Sequence, residues 1–186
     1  MNKGQELLFR KHDAKASVDE FKKVIKIDPL YEQGYMLLGL AQMQLGQWGD
    51  AQWAFEEAAK VEPGNAKAHL GIGSSLNEQH DYAAAQKALE HSLDIDPESA
   101  EAHYELARSL AATNKWSAAG QHAQRAIDLN PDYPGPHIIM GNVYIENDEP
   151  EAALHEFEEY LRLDPQGPLA PSAREMVGQL KKTLAQ

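Results

Sequence analysis

The chain of 186 residues contains no cysteine, so neither a disulfide nor a thiolate site can form. It has no run of about 18 apolar residues, which a transmembrane helix would need. Its first residues also lack the apolar segment of a signal peptide. These absences make the cytoplasm our default expectation for the compartment.

Basic residues are also scarce. Lysine and arginine number 17 against 29 acidic residues, for a formal net charge of −12. Residues 1–31 hold seven of the basic and five of the acidic residues, so this segment carries +2 and the remainder carries −14. Because an acidic chain repels phosphate backbones and anionic lipids, we expect neither a nucleic-acid partner nor membrane insertion.

An acidic or amide residue followed by proline recurs at intervals of 34 residues without insertion or deletion. The five dipeptides are Asp28-Pro29, Glu62-Pro63, Asp96-Pro97, Asn130-Pro131 and Asp164-Pro165. A fixed period of this length indicates stacked supersecondary units, each too small to bury its own apolar face. Proline cannot continue a helix, so each dipeptide predicts a helix end.

Residues 32–65 illustrate the unit, with Glu32 as position 1. Two sets of residues are spaced so that each lies on one stripe of a helix: Tyr35, Leu38, Gly39 and Gln42, then Ala51, Phe55 and Ala58. The segment 45–50 between them contains two glycines and predicts a tight turn. Each unit is therefore predicted to be a pair of antiparallel helices.

This pattern resembles the tetratricopeptide repeat (TPR) family in its length and in the placement of aromatic, Leu, Gly, Ala and Pro residues. Small residues keep register at position 8 (Gly39, Gly73, Ala107, Gly141) and at position 20 (Ala51, Ala85, Ala119, Ala153). The resemblance implies an all-α solenoid of stacked antiparallel helix pairs in a right-handed superhelix. Full repeats are predicted at 32–65, 66–99, 100–133 and 134–167.

The two ends differ from the full repeats. Residues 1–31 are predicted to be a truncated first repeat, with Gly4 and Gln5 where Leu and Gly are usual. We therefore expect a weak, frayed first helix or a chain cut from a longer protein. At the other end, residues 168–186 are predicted to form a capping helix with Ser172 as its N-cap, which would cover the last stacking face.

Features that imitate catalytic or ligand chemistry do not support it. Gly71-Ile72-Gly73 lies within a helix with no preceding strand, so it predicts no phosphate loop. Three histidines recur at position 4 (His69, His103, His137), but equivalent helices are roughly 9 Å apart. That distance is too long for a shared metal ion. We predict a chain with no catalytic residues, no metal and no cofactor.

The resemblance implies that positions 2, 5, 9, 12 and 13 of the first helices line a concave surface that binds peptides. An apolar residue occurs at position 5 of every full repeat, which suits a ligand with hydrophobic anchors. The predicted groove residues are Met36, Leu40, Met43, Leu70, Ser74, Asn77, Tyr104, Arg108, Ile138, Asn142 and Ile145. The alternative is that these side chains only fill contacts between adjacent helices.

If the groove hypothesis is right, the position-5 side chains are exposed in the free protein. Replacement of Tyr104 by Ala should then weaken a partner while the fold stays intact. Arg108 lies one helical turn further on, where we expect it to pair with an acidic group of the ligand.

One TPR subtype is excluded by its residues. Domains that bind chaperone C-termini hold a carboxylate with basic residues and Asn at five places on three repeats. Counted from 32–65 these places hold Met36, Leu40, Gly71, Glu101 and Glu105. Counted from 66–99 they hold Leu70, Ser74, Glu105, Gly135 and Ile139. Neither set contains a basic residue, so we reject that role.

We therefore predict a non-catalytic scaffold that binds a protein or peptide partner through the concave TPR groove. One alternative is a self-assembly module, in which the weak first helix of one chain accepts the acidic or capped end of another, giving a homo-oligomer. Another is the targeting domain of a larger protein.

Overall fold

The computed structural model describes residues 2–185 and consists of helices joined by short turns, with no strand among those residues. Its contacts divide the chain into two compact units, Met1–Pro97 and Glu98–Gln186. The all-helical class predicted from the two stripes per repeat is confirmed. No helix among the described residues is long and apolar enough to cross a membrane.

The first unit contains six α-helices and one π-helical turn. The π turn, Glu6–Arg10, continues directly from α1. The helices are α1 (Asn2–Gln5), α2 (Ala14–Ile27), α3 (Glu32–Gln44), α4 (Trp48–Val61), α5 (Ala66–Glu78) and α6 (Tyr82–Ile95). Consecutive helices pack along each other across short turns, so each pair is antiparallel.

The second unit contains two helix pairs and a final helix. They are α7 (Ala100–Ala112), α8 (Trp116–Leu129), α9 (Pro134–Glu146), α10 (Pro150–Leu163) and α11 (Ala170–Leu184). In each unit the first helices of neighbouring pairs, α3 with α5 and α7 with α9, also lie in contact.

The helices end at the repeat boundaries as the dipeptides predict, α2 at Ile27 and α8 at Leu129. The backbone N–H of Leu30 donates to the Asp28 side chain at 3.1 Å, and that of Asp132 donates to the Asn130 side chain at 3.3 Å. Such turns satisfy backbone groups after the helix has ended ahead of the proline. Before α5, the Asn65 side chain accepts from the N–H groups of Lys67 and Ala68 and so caps the new helix.

Glycines allow the two helices of a pair to approach closely. A Cβ built on Gly39 would lie 2.7 Å from the Phe55 ring, and one on Gly141 would lie 2.7 Å from the Phe157 ring. Phe55 and Phe157 are almost completely buried. In the pair α7–α8, position 8 is Ala107 and the facing position 24 is Ala123, and both are buried. A larger residue at position 8 is thus matched by a smaller residue at position 24.

The last helix begins earlier than predicted. Leu169 precedes α11 and Ser172 lies inside the helix, so Ser172 is not its N-cap. Pro171, in the first turn of α11, occupies a position where a missing N–H costs no hydrogen bond. Leu180 is buried against Phe157 and Tyr160, and Met176 and Val177 pack beside it, so α11 covers the apolar face of α10.

Candidate functional site

The predicted groove residues of the first unit lie on the adjacent helices α3 and α5. Leu40 is 39% exposed, and Met36, Met43 and Leu70 are half-buried. We call these four residues the α3–α5 surface. Met36 also packs against the core cluster of Tyr35, so part of its side chain fills a helix contact, as the alternative interpretation holds.

Ser74 and Asn77 do not belong to this surface. Ser74 is 8% exposed and Asn77 is 3% exposed, so neither is open to a partner. Their side chains are short and reach less far from the helix axis than the Met and Leu side chains around them. We correct the predicted groove by leaving both residues out.

In the second unit the predicted residues lie on α7 and α9. Ile145 is 36% exposed, and Ile138 and Asn142 are half-buried. Ile138 packs beside the cluster of Phe157 and Tyr160, so it also contributes to the core. We call Ile138, Asn142 and Ile145 the α9 surface.

Tyr104 is not the free aromatic anchor that the sequence predicts. Its ring lies over the backbone of Gly135, where an added Cβ would come within 2.6 Å of the ring. The ring also meets Tyr133 edge-on, with centroids 5.0 Å apart. Burial, with Tyr104 next to it, raises the pKa of Tyr133. Removing the Tyr104 ring would therefore disturb the junction of α7 and α9, contrary to the expectation that the fold stays intact.

Arg108 already has an acidic partner within the chain. Its guanidinium donates to Glu105 Oε2 at 2.9 Å and to Glu105 Oε1 at 3.1 Å. It also lies 5.9 Å from the centre of the Tyr104 ring, within the range of a cation–π contact. Arg108 therefore helps to hold Tyr104 in place. The sequence predicted only that Arg108 would pair with an acidic group of the ligand.

The three position-4 histidines each have a partner on the second helix of their own pair. The ring centres of His69 and His91 are 4.2 Å apart, those of His103 and His122 are 5.1 Å apart, and His137 Nδ1 lies 2.7 Å from Glu156 Oε2. Among residues 2–185, no group of three His, Cys, Asp or Glu side chains is placed to hold a metal ion.

An apolar patch that sequence reasoning missed lies around the turn between α2 and α3. Ile27 is 84% exposed and Leu30 is 78% exposed. Lys22, Lys23 and Lys26 on α2 are also exposed. Ile27 is at position 30, where the equivalent Val61 packs against the cluster of Tyr35, a position-4 residue. By the sequence register, position 4 of the truncated first repeat falls on Met1, which lies outside the described residues.

These features define an all-helical repeat protein in which partly exposed apolar side chains, Leu40 and Ile145 among them, lie on first helices of its pairs. The tetratricopeptide repeat profile matches residues 36–85 and 72–134, and a second profile of the same description matches residues 137–166. The chain therefore belongs to the tetratricopeptide repeat family, whose members are generally non-catalytic protein-interaction scaffolds. No curated protein matches the chain significantly.

Solved structures of TPR proteins share the fold. MamA from Desulfovibrio magneticus RS-1 superimposes with a TM-score of 0.77 at 22% identity, over 90% of this chain and 94% of that one. PilW, a type IV pilus biogenesis factor, has a TM-score of 0.79 at 16% identity, over 98% and 89%. YrrB, described as a TPR protein with an unusual peptide-binding site, has a TM-score of 0.68 at 18% identity, over 91% and 87%.

Proposed function

We propose that this chain is a scaffold that binds a peptide segment of a partner protein through the first helices of its repeats. The observation that carries the proposal is the exposure of two large apolar residues there, Leu40 at 39% and Ile145 at 36%. The ligand we propose offers apolar side chains, because Met36, Met43 and Leu70 extend the same surface and Met adapts to varied partners. The repeats at 32–65, 66–99, 100–133 and 134–167 are the units of this proposal.

Peptide selection tests the α3–α5 surface. Short random peptides displayed on phage would be selected on the full chain, and their affinities measured by fluorescence anisotropy. Leu40→Glu should weaken the selected peptides about tenfold or more, since it places a charge among apolar anchors. Leu45→Glu is the matched control, because Leu45 is 38% exposed but lies in the turn after α3. If the peptides bind the Leu40→Glu variant as tightly as the parent, their binding site is not the α3–α5 surface.

The α9 surface has a matched pair of its own. Ile145 on α9 is 36% exposed and Ile95 at the end of α6 is 37% exposed. Peptides bound at the α9 surface should lose about tenfold in affinity with Ile145→Glu and be unaffected by Ile95→Glu. If neither Leu40→Glu nor Ile145→Glu weakens any selected peptide, binding through the first helices is wrong.

A second candidate function is self-assembly, and the exposed Ile27 and Leu30 favour it. The exposed Lys23 and Lys26 lie within one helical turn of Ile27 on α2. The last repeat is strongly acidic, with eight Asp or Glu residues against one Arg in 134–167. A patch of this kind would accept the acidic end of a second copy. Light scattering should show an oligomer that becomes monomeric on Ile27→Glu; a monomer at all concentrations and low salt would reject this alternative.

A further inference from the structure

The rings of His103 on α7 and His122 on α8 meet edge to edge. Their Nδ1 atoms are 2.9 Å apart, which is hydrogen-bonding distance. The ring centres are 5.1 Å apart, close to the N–N distance plus the two ring radii. The two nitrogens therefore point almost directly at each other, and the bond joins the two helices of one pair.

This contact depends on how many protons the two rings carry. In the neutral pair, one Nδ1 donates its hydrogen and the other accepts it. A first added proton can occupy the outer nitrogen of the donor ring, which keeps the bond and makes it charge-assisted. When both rings are charged, both Nδ1 atoms carry hydrogens, so an attraction across 2.9 Å becomes a repulsion.

The burial of the two rings strengthens this repulsion, because like charges interact more strongly away from water. Both rings are half-buried, and burial, with the charge of His103 next to it, lowers the pKa of His122. Several charged groups of the same unit pair with other residues or are exposed. Glu105 pairs with Arg108 on α7, Arg125 and Asp128 on α8 are exposed, and His137 of α9 bonds Glu156 of α10.

We propose that the His103–His122 pair is an acid-sensitive latch between α7 and α8, closed while at most one ring is charged and opened when both are protonated. This inference does not depend on what the first helices bind. The neighbouring pair provides a contrast, because an imidazolium at His137 would face the Glu156 carboxylate.

The direction of the pH response follows from proton linkage. Unfolded histidines titrate near about pH 6.5, and the closed pair resists its second proton. The opened segment therefore binds more protons below that pH, and stability is lost as the pH falls. One proton of difference raises the opening equilibrium about tenfold between about pH 7.5 and about pH 5.5.

Hydrogen exchange of the full chain tests the latch. After correction for the intrinsic exchange rate, amides of α7 and α8 should exchange about tenfold faster at about pH 5.5 than at about pH 7.5. His122→Asn should reduce this acid response to less than about twofold. The side-chain amide of Asn lies where Nδ1 of His122 was. Its NH₂ group can donate to a neutral His103, and its oxygen can accept from a charged His103. The matched control His12→Asn, in an exposed turn, should keep the full response.

The proposal is overturned if His122→Asn responds to acid as the parent does, or if the parent shows no response in α7 and α8. A second measurement uses the parent protein alone, so it remains valid if the His122→Asn variant folds poorly. Imidazole NMR of the parent should show the two rings titrating as a coupled pair. Independent titration of both rings near about pH 6.5 would also overturn the latch.

Discussion

The first helix pair, α1 and its π turn with α2, builds the same contact as the second pair, α3 with α4, from a different spacing of residues. A Cβ on Gly4 would lie 2.7 Å from the Phe21 ring, just as one on Gly39 would lie 2.7 Å from the Phe55 ring. Both pairs also turn through a left-handed residue, His12 with φ 52° and Gly46 with φ 68°. The first pair therefore shares with the second both the glycine–phenylalanine contact and the left-handed turn.

The two pairs differ in the number of residues from the glycine to the next residue that faces the core. Gly4 precedes the buried Leu8 by four residues, whereas Gly39 precedes the buried Gln42 by three. The π turn at Glu6–Arg10 accommodates the extra residue, because a π turn winds less per residue than an α turn. Gly4 is buried rather than part of a frayed helix, so close packing determined the register and the backbone adapted to it.

Replacing the buried phenylalanine of each pair by alanine should give the largest difference in stability between the two pairs. Phe55 lies between two glycines, since a Cβ on Gly71 of α5 would lie 2.6 Å from its ring. Phe55→Ala should cost about 3–5 kcal/mol and loosen both α3 and α5. Phe21→Ala, which removes a ring packed on one glycine, should affect its own pair first. Hydrogen exchange would map this loss of protection, and a uniform loss along the chain after Phe55→Ala would contradict the nearest-neighbour picture.

Substitutions at the left-handed turn residues should change stability by an intermediate amount, and in opposite directions in the two pairs. Gly46→Ala should destabilise by about 1–2 kcal/mol, because a Cβ is strained in the left-handed region. His12→Gly should stabilise by up to about 1 kcal/mol, because it relieves the same strain. Gly64→Ala is the control, since no atom lies within 4 Å of its added Cβ and its φ is not left-handed. Urea midpoints would measure all three, and destabilisation by His12→Gly would contradict the strain argument.

The smallest effect is expected from shortening the π turn. Deletion of the exposed Glu6 leaves three residues from Gly4 to Leu8, the spacing of Gly39 and Gln42, so the unfolding free energy should change by less than about 1 kcal/mol. Leu40 is the exposed residue in the corresponding segment of α3, between Gly39 and Gln42. Its deletion should rotate Gly39 away from Phe55 and lower the unfolding free energy several times more. Similar losses for both deletions, measured by urea unfolding, would show that the π turn has no register role.

The candidate site was less predictable than the helices. The placement of Leu40 and Ile145 on the first helices followed from helical spacing alone, but their accessibility did not. Ser74 at position 9 and Tyr104 at position 5 both occupy groove positions by periodicity, yet Ser74 is buried and Tyr104 packs on Gly135. Burial depends on the length of the neighbouring side chains, and a helical repeat pattern does not contain that information.

The sequence by itself determined the period, the helix pairs, the breaks at Asp28-Pro29 and its repeats, and the close approach of Gly39 to a large residue. These features depend on residues near in sequence or on a volume match that recurs in register. Tertiary structure decided the π turn that aligns Gly4, the exposure of Ile27 and the head-on contact of His103 with His122. Each of these depends on which side chain a neighbouring helix presents, and the spacing of residues along one helix does not specify it.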